Sequence, residues 1–423
     1  MKKILLSSLL LAALAISSCS KDDDGGTPEP VATCNDGILN GDETAVDCGG
    51  SCEPCEIAAE KDGIIAGQDD PDLDPEDLKG DVTANVCLTS DTVWTLNGPL
   101  SVKNGATLCI EPGTVIRATA GGTDVYVAIE QGAKIDARGT ANSPITFTSN
   151  AGNPRSGDWG GILIIGKAPI SGGGTATTEV VNLTYGGTDA SDNSGVMTYV
   201  QALYTGARIN GDKEFNGITF YGVGNATVVE NVGVFFGDDD AFEWFGGTVN
   251  VRNAIAVNIK DDMFDWTQGW TGTATNLYGL REASYTAITE DPRGIEGDGN
   301  LDGQNPGDSG QSNPTINGLV LINGAPVSMA DMIKVRRGSG LTLTNGYVAF
   351  ANENAEASDF IDLLDGAGDA NGANINMSLV GDAASGLDIT DIKSVSGATI
   401  NVTEGTTPTV DRNIFNWTGY SFE

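Results

Sequence analysis

The block Asp239-Asp240-Ala241-Phe242-Glu243-Trp244 returns 22 residues later as Asp261-Asp262-Met263-Phe264-Asp265-Trp266. Laid side by side, the two copies bring Asp239 to Asp261, Asp240 to Asp262 and Glu243 to Asp265. Like charges at the strand spacing of ~4.8 Å repel unless a cation lies between them, and an all-oxygen site favours calcium. A second acidic run, Asp298-Gly299-Asn300-Leu301-Asp302-Gly303, has the D-x-[DN]-x-[DN]-G start of a calcium loop. Its twelfth position is Ser309 rather than Glu and no helical pattern flanks it, so a calcium-binding surface loop is expected, not an EF-hand. A metal-free Asp/Asn/Gly turn is the alternative. Trp244, Trp266 and Trp270 have flat faces that suit sugar rings. Strand alternation puts Phe242 and Trp244 on one side and Glu243 on the other, which favours core for those aromatics. Trp270, after Gly269, is then the expected exposed platform, with Glu243 and Asp265 as further ligand-binding candidates.

The chain has no histidine. That removes Ser-His-Asp and Cys-His nucleophiles, imidazole acid–base chemistry and most transition-metal sites. Two catalytic schemes survive. Calcium could acidify a sugar proton for a basic Lys or Arg, with Lys260, Lys334, Arg336 and Arg337 as candidates. Alternatively, Glu243 and Asp265 could serve as a carboxylate pair ~5–5.5 Å apart, the spacing of a retaining glycosidase. Stacked carboxylates are more often structural, so no catalytic residue is assigned. The expectation is a non-catalytic, calcium-supported binding or adhesion module, with a calcium-dependent polysaccharide lyase as the alternative.

These side chains must be held by strands. From Gly80 onward, short runs of Val, Ile, Thr and Phe alternate with Gly, Asn and Asp, and no amphipathic helical stretch of useful length appears. Val229 and Asn231 recur as Val251 and Asn253, and Cys87 recurs as Cys109, all at the same offset of 22. Asn317, Asn345 and Asn376 also precede short apolar strands, and asparagines at one turn of successive coils can stack into a ladder. A period near 22 with several strands per turn resembles one coil of a right-handed parallel β-helix of the pectate-lyase-like superfamily. The expected fold is therefore all-β, a right-handed parallel β-helix over residues 80–423. Neighbouring coils place Cys87 and Cys109 within disulfide reach, against the alternative of two unpaired core thiols.

Several segments, GATLCIEPGTVI (105–116), QGAKIDARGTANSPITFTS (131–149), GDWGGILIIGKAPI (157–170) and the paired acidic blocks, resemble a largely uncharacterised group of Bacteroidota surface β-helix lipoproteins. The resemblance implies fold and location and adds no mechanism.

The N-terminus agrees with that location. Lys2 and Lys3 precede an apolar run from Ile4 to Ile16, and Ile16-Ser17-Ser18-Cys19 resembles a lipobox. Residues 1–18 are read as a lipoprotein signal peptide and Cys19 as the lipidated first mature residue. The acids after it resemble the signal that sends Bacteroidota lipoproteins to the outer face of the outer membrane. Lipid is the expected membrane attachment, since no other run of ~18 apolar residues occurs. A disordered tether is expected over 19–33, a Cys-rich motif with Cys34, Cys48, Cys52 and Cys55 over 34–55, and an extended acidic linker over 56–79. Four cysteines in an exported segment suggest two disulfides in one of three connectivities, with a zinc site as the competitor. Asp36, Asn40, Asp42 and Asp47 there suit either calcium or tight turns. A net charge of −36 argues against nucleic acid, so the expected partners are an extracellular glycan or an outer-membrane protein.

Overall fold

The computed structural model describes residues 33–55, 61–210 and 213–422. The expected signal peptide, Cys19 and all of the tether but Thr33 lie outside the described residues. The chain divides into two compact units after Glu60.

The first unit contains the Cys-rich motif. Its disulfides are Cys34–Cys52 and Cys48–Cys55, which selects one of the three connectivities. Ile38 and Leu39 are exposed, so turns and cross-links rather than an apolar interior carry the motif. The Asp47 carboxylate accepts the backbone N–H groups of Asp36 and Gly37 at 2.7 and 2.9 Å, and Asp36 accepts that of Ile38 at 2.9 Å. These acids shape turns.

In the second unit, Lys61–Glu423, 25 strands join in one continuous sheet that winds through successive coils, consistent with a right-handed parallel β-helix. Alternation makes each strand two-sided. Ile145–Ser149 buries Ile145, Phe147 and Ser149 and turns Thr146 and Thr148 the other way. One coil cannot cover its own apolar side, but stacking does. Ile218, Phe242, Phe264 and Ile295 form a column through four coils, each 0% exposed. Burying each such side chain contributes ~1.5–3 kcal/mol relative to exposure.

The expected register holds. Val229 pairs with Val251 and Glu243 with Asp265; Cys87 pairs with Cys109, joined as a disulfide with Cα atoms 4.3 Å apart. The long strands bend at a residue with left-handed backbone. Tyr199, Asn231, Asn253, Asn276 and Asn345 hold φ of +51 to +58° at this corner, a conformation asparagine tolerates. Asn253 donates to Asn231, and Asn276 to Asn253, at 2.9 Å each. The ladder differs from expectation farther along. Gly318 takes the corner between Asn276 and Asn345, where a Cβ would lie 2.9 Å from the Asn276 amide oxygen. Asn317 sits one residue earlier and accepts from Asn345 at 2.7 Å, while Asn376 pairs with Thr342 and Thr399 on the straight part.

The bend gives the coil three faces. The first halves of the long strands turn alternate side chains to solvent. Their second halves carry Phe235, Tyr278 and Tyr347 outward, beneath Val410 and Phe415 of the C-terminal segment. The third face consists of short strands, including Ile218–Tyr221, Phe242–Phe245 and Phe264–Thr267. Its outward Leu163, Tyr221 and Phe245 are covered by Ile170, Tyr185 and Phe215 from excursions between strands.

Residues 61–79, expected as part of an extended linker, instead belong to the solenoid. Ile64–Ile65 pairs with Asp81 and Val82, and Ile65 and Leu78 are fully buried. The acids that suggested a solvated linker cap turns. Asp72 accepts the N–H of Asp62 at 2.9 Å, and Asp70 that of Ala66 at 3.0 Å.

Candidate functional site

The third face carries two ladders of charge. In the first, Glu243 pairs with Asp265 and Asp265 with Glu296. Ile295 pairs with Ile333, so the ladder continues to Lys334, which pairs with Asp362 and then Lys393. Three acids in a row give way to alternating signs. In the second, the Asp240 carboxylate accepts the N–H of Asp262 at 3.0 Å, and Asp262 accepts that of Arg293 at 2.6 Å. Arg293 pairs in turn with Asp331, and Asp331 with Asp359.

Excursions cover the acidic end. Arg208 forms ion pairs with Asp238, Asp239 and Asp261 at 3.2, 2.9 and 3.5 Å. Asn216 donates its amide N–H to Glu243. Asp240, Glu243 and Asp262 are 8%, 8% and 4% exposed. Burial, then Asp261, holds the Asp239 carboxyl well above the usual range; for Asp240 the causes are burial and Asp239. Burial and Asp265 do the same to Glu243, and burial and Glu296 to both Asp262 and Asp265. Glu179, on the covering excursion, is pushed up to about 7 by burial and then by Glu214 and Asp302. As free carboxylates these groups would be unstable together; protons or a cation must neutralise them.

The donor set fits a hard cation. Asp240, Glu243 and Asp265 place one oxygen each within 4.8 Å of one another, as do Asp239, Asp240 and Asp261. Asp265 Oδ1 and Asn216 Oδ1 are buried without a hydrogen-bond partner. Three carboxylate oxygens in each group form an all-oxygen donor set, which suits a hard cation such as calcium better than a softer metal. A third acidic group, Asp331, Asp359 and Asp362, is different. There Lys334 meets Asp362 at 2.6 Å and Lys393 meets Asp359 at 2.7 Å, so ammonium groups hold the place of an ion.

Two expectations are corrected. Trp270 is fully buried, stacked on Trp244 at 4.4 Å between ring centres, with its indole N–H donating to Val249 O at 3.1 Å. Gly269 turns it into the core, so it offers no platform. The Asp298–Asp302 run is no open calcium loop. Both Asp298 oxygens are taken, by Arg336 at 2.8 Å and Arg337 at 2.6 Å. The fully buried Asn300 amide bonds Gln311, the Arg337 carbonyl and the Asn305 N–H. Asp302 takes a left-handed φ of +48° in the following turn.

Arg208, Asn216, Arg293 and Glu296 were not anticipated, because an excursion of irregular length separates each from its spatial partner. One signal existed: Asp331-Met-Ile-Lys334 and Asp359-Phe-Ile-Asp362 repeat the acid-apolar pattern at an offset of 28. Among the candidate bases, Lys260 is held by Asp238, Lys334 by Asp362, and Arg336 and Arg337 by Asp298. None of Asp240, Glu243, Asp262 and Asp265 lines the surface depressions bordered by Arg252, Arg412, Phe360 or Tyr126.

No curated protein and no solved structure matches the chain. A family model does, over residues 80–416, and together with the stacked parallel coils it establishes that the chain belongs to the family of the pectate-lyase like β-helix domain.

Proposed function

We propose that this chain is a cell-surface module, anchored through lipid on Cys19 at the outer face of the outer membrane, that binds a glycan or an outer-membrane partner without catalysis. Calcium supports the module by neutralising Asp240, Glu243 and Asp265. The observation that carries this reading is the covering of the acids: they lie beneath Asn216 and neighbouring excursions, while the candidate bases are committed to ion pairs. A lyase would need a cation and a free base facing the same sugar. A buried cation instead stabilises the folded state by mass action.

The test uses the mature chain carrying Cys19→Ser, incubated with calcium and a panel of neutral and acidic polysaccharides. Retention on a polymer without unsaturated uronide release supports the proposal. Uronide release, read by ultraviolet absorbance, overturns it in favour of the lyase. Absence of both removes the glycan and leaves only an outer-membrane partner, for which crosslinking on intact cells is the check. Cells expressing the Cys19→Ser chain should lose it from the membrane fraction.

A further inference from the structure

The uncovered face carries a regular array. From Thr273 onward, Thr273, Thr315, Thr342, Asn376 and Thr399 stand in register on successive strands. Two residues along each strand, a second column runs Thr275, Asn317 and Thr344, and Ser378 and Asn401 continue it past a shift in register after Leu343. Every one of these ten positions is exposed or part-exposed and none is charged, in a chain of net charge −36. The residue between each pair, such as Ala274, Ile316, Leu343 or Met377, is locked in the core, which fixes the outward direction of its neighbours. Thr344 donates to Asn317 at 3.1 Å, whereas the side chains of Thr273, Thr315, Thr342 and Asn376 have no hydrogen-bond partner among the described residues. At the array's N-terminal end lies a shallow open depression of about 390 Å³, lined by Thr273 and Thr275 and by the Arg252–Glu230 ion pair.

We propose that this face binds a neutral, regularly repeating polysaccharide laid along the stack. The proposal rests on the glycan-binding reading above and supplies its ligand class and location. Five coils at ~4.8 Å give a rigid strip of roughly 19 Å in which hydroxyl and amide groups recur at a constant interval. Such groups donate and accept, as sugar hydroxyls do, and the rigid core spares them ordering entropy on binding. The surrounding acidity repels uronate polymers, while the strip itself carries no charge to desolvate. The other two faces are closed by the C-terminal segment and by the excursions, so this strip is where a long ligand gains access.

The probes are amorphous cellulose and an insoluble β-1,3-glucan, with polygalacturonate as the polyanion, each in a depletion assay with the Cys19→Ser chain. The comparison variant is Thr273→Val/Thr315→Val/Thr342→Val, which keeps β-branching and shape but removes three hydroxyls. Expected is retention on at least one neutral polymer, weakened roughly tenfold or more in the triple variant, with an unchanged unfolding temperature. Equal binding by the variant overturns the assignment of this face while leaving the glycan reading standing. Retention on polygalacturonate alone overturns the ligand class. No retention on any polymer overturns both.

Discussion

One ladder of side chains is built in two ways along the same solenoid. Around Glu243 and Asp265 the outward positions repeat acid upon acid, and the ion pairs of Arg208 go to Asp238, Asp239, Asp261 and Glu214 instead. Beyond Glu296 the same positions alternate Lys334, Asp362 and Lys393, while Arg293 meets Glu296 at 2.7 Å and Asp331 at 3.1 Å. The electrostatics follow. Asp265 is driven well above the carboxylate range, whereas Glu296 is raised only to about 7, because Arg293 and Arg336 offset much of its burial. A β-helix stacks equivalent side chains whatever their sign, so each coil inherits the charge problem of the one before. The second region solves it inside the chain. The first is left for a cation or protons from outside.

The comparison breaks most severely if the paired region is made to resemble the acidic one. Arg293→Met strands Asp262 and Asp331 and leaves Glu296 to Arg336 alone, and should destabilise the fold by ~3–5 kcal/mol, read as a fall in the denaturation midpoint. Part of that loss should return on adding calcium. In the opposite direction, Glu243→Gln/Asp265→Asn removes the repulsion without changing shape. In chelator at pH 7 it should stabilise the chain by about 1–4 kcal/mol, measured by urea unfolding.

The smallest effect concerns pH. The Glu179 carboxyl, ordinarily near 4.5, stands at about 7 when folded. The folded state therefore holds the proton more tightly than the unfolded chain. The associated stability is full below about pH 4.5 and is lost as pH rises through about 7. In chelator, unfolding temperature should fall across that window, and Glu179→Gln should flatten part of the slope. An unchanged slope would place Glu179 outside the acidic cluster.

The coil was legible because two adjacent copies share a 22-residue offset, which sets Glu243 against Asp265. The Cys87–Cys109 link followed from the same period and is present. Excursions then erased the period: Ala274 pairs with Ile316 and Leu343 with Met377, which hid the continuation to Glu296 and Lys334. Trp270 was misplaced because a glycine before an aromatic reads as a loop, while here it turns the ring into the core. Asp298 was misplaced because a linear acidic motif shows nothing of Arg336 and Arg337, which reach it from the next coil. Short-range periodicity is written in the chain; which opposite charge arrives from a neighbouring coil is not.

The most direct measurement is calcium titration by calorimetry at pH 7 on the Cys19→Ser chain, beside the same chain carrying Glu243→Gln/Asp265→Asn. Expected are saturable calcium binding with proton release and a raised unfolding temperature in the first, with both lost in the second. Calcium binding and stabilisation that are equal in the two chains, or absent from both, would contradict calcium at Glu243 and Asp265.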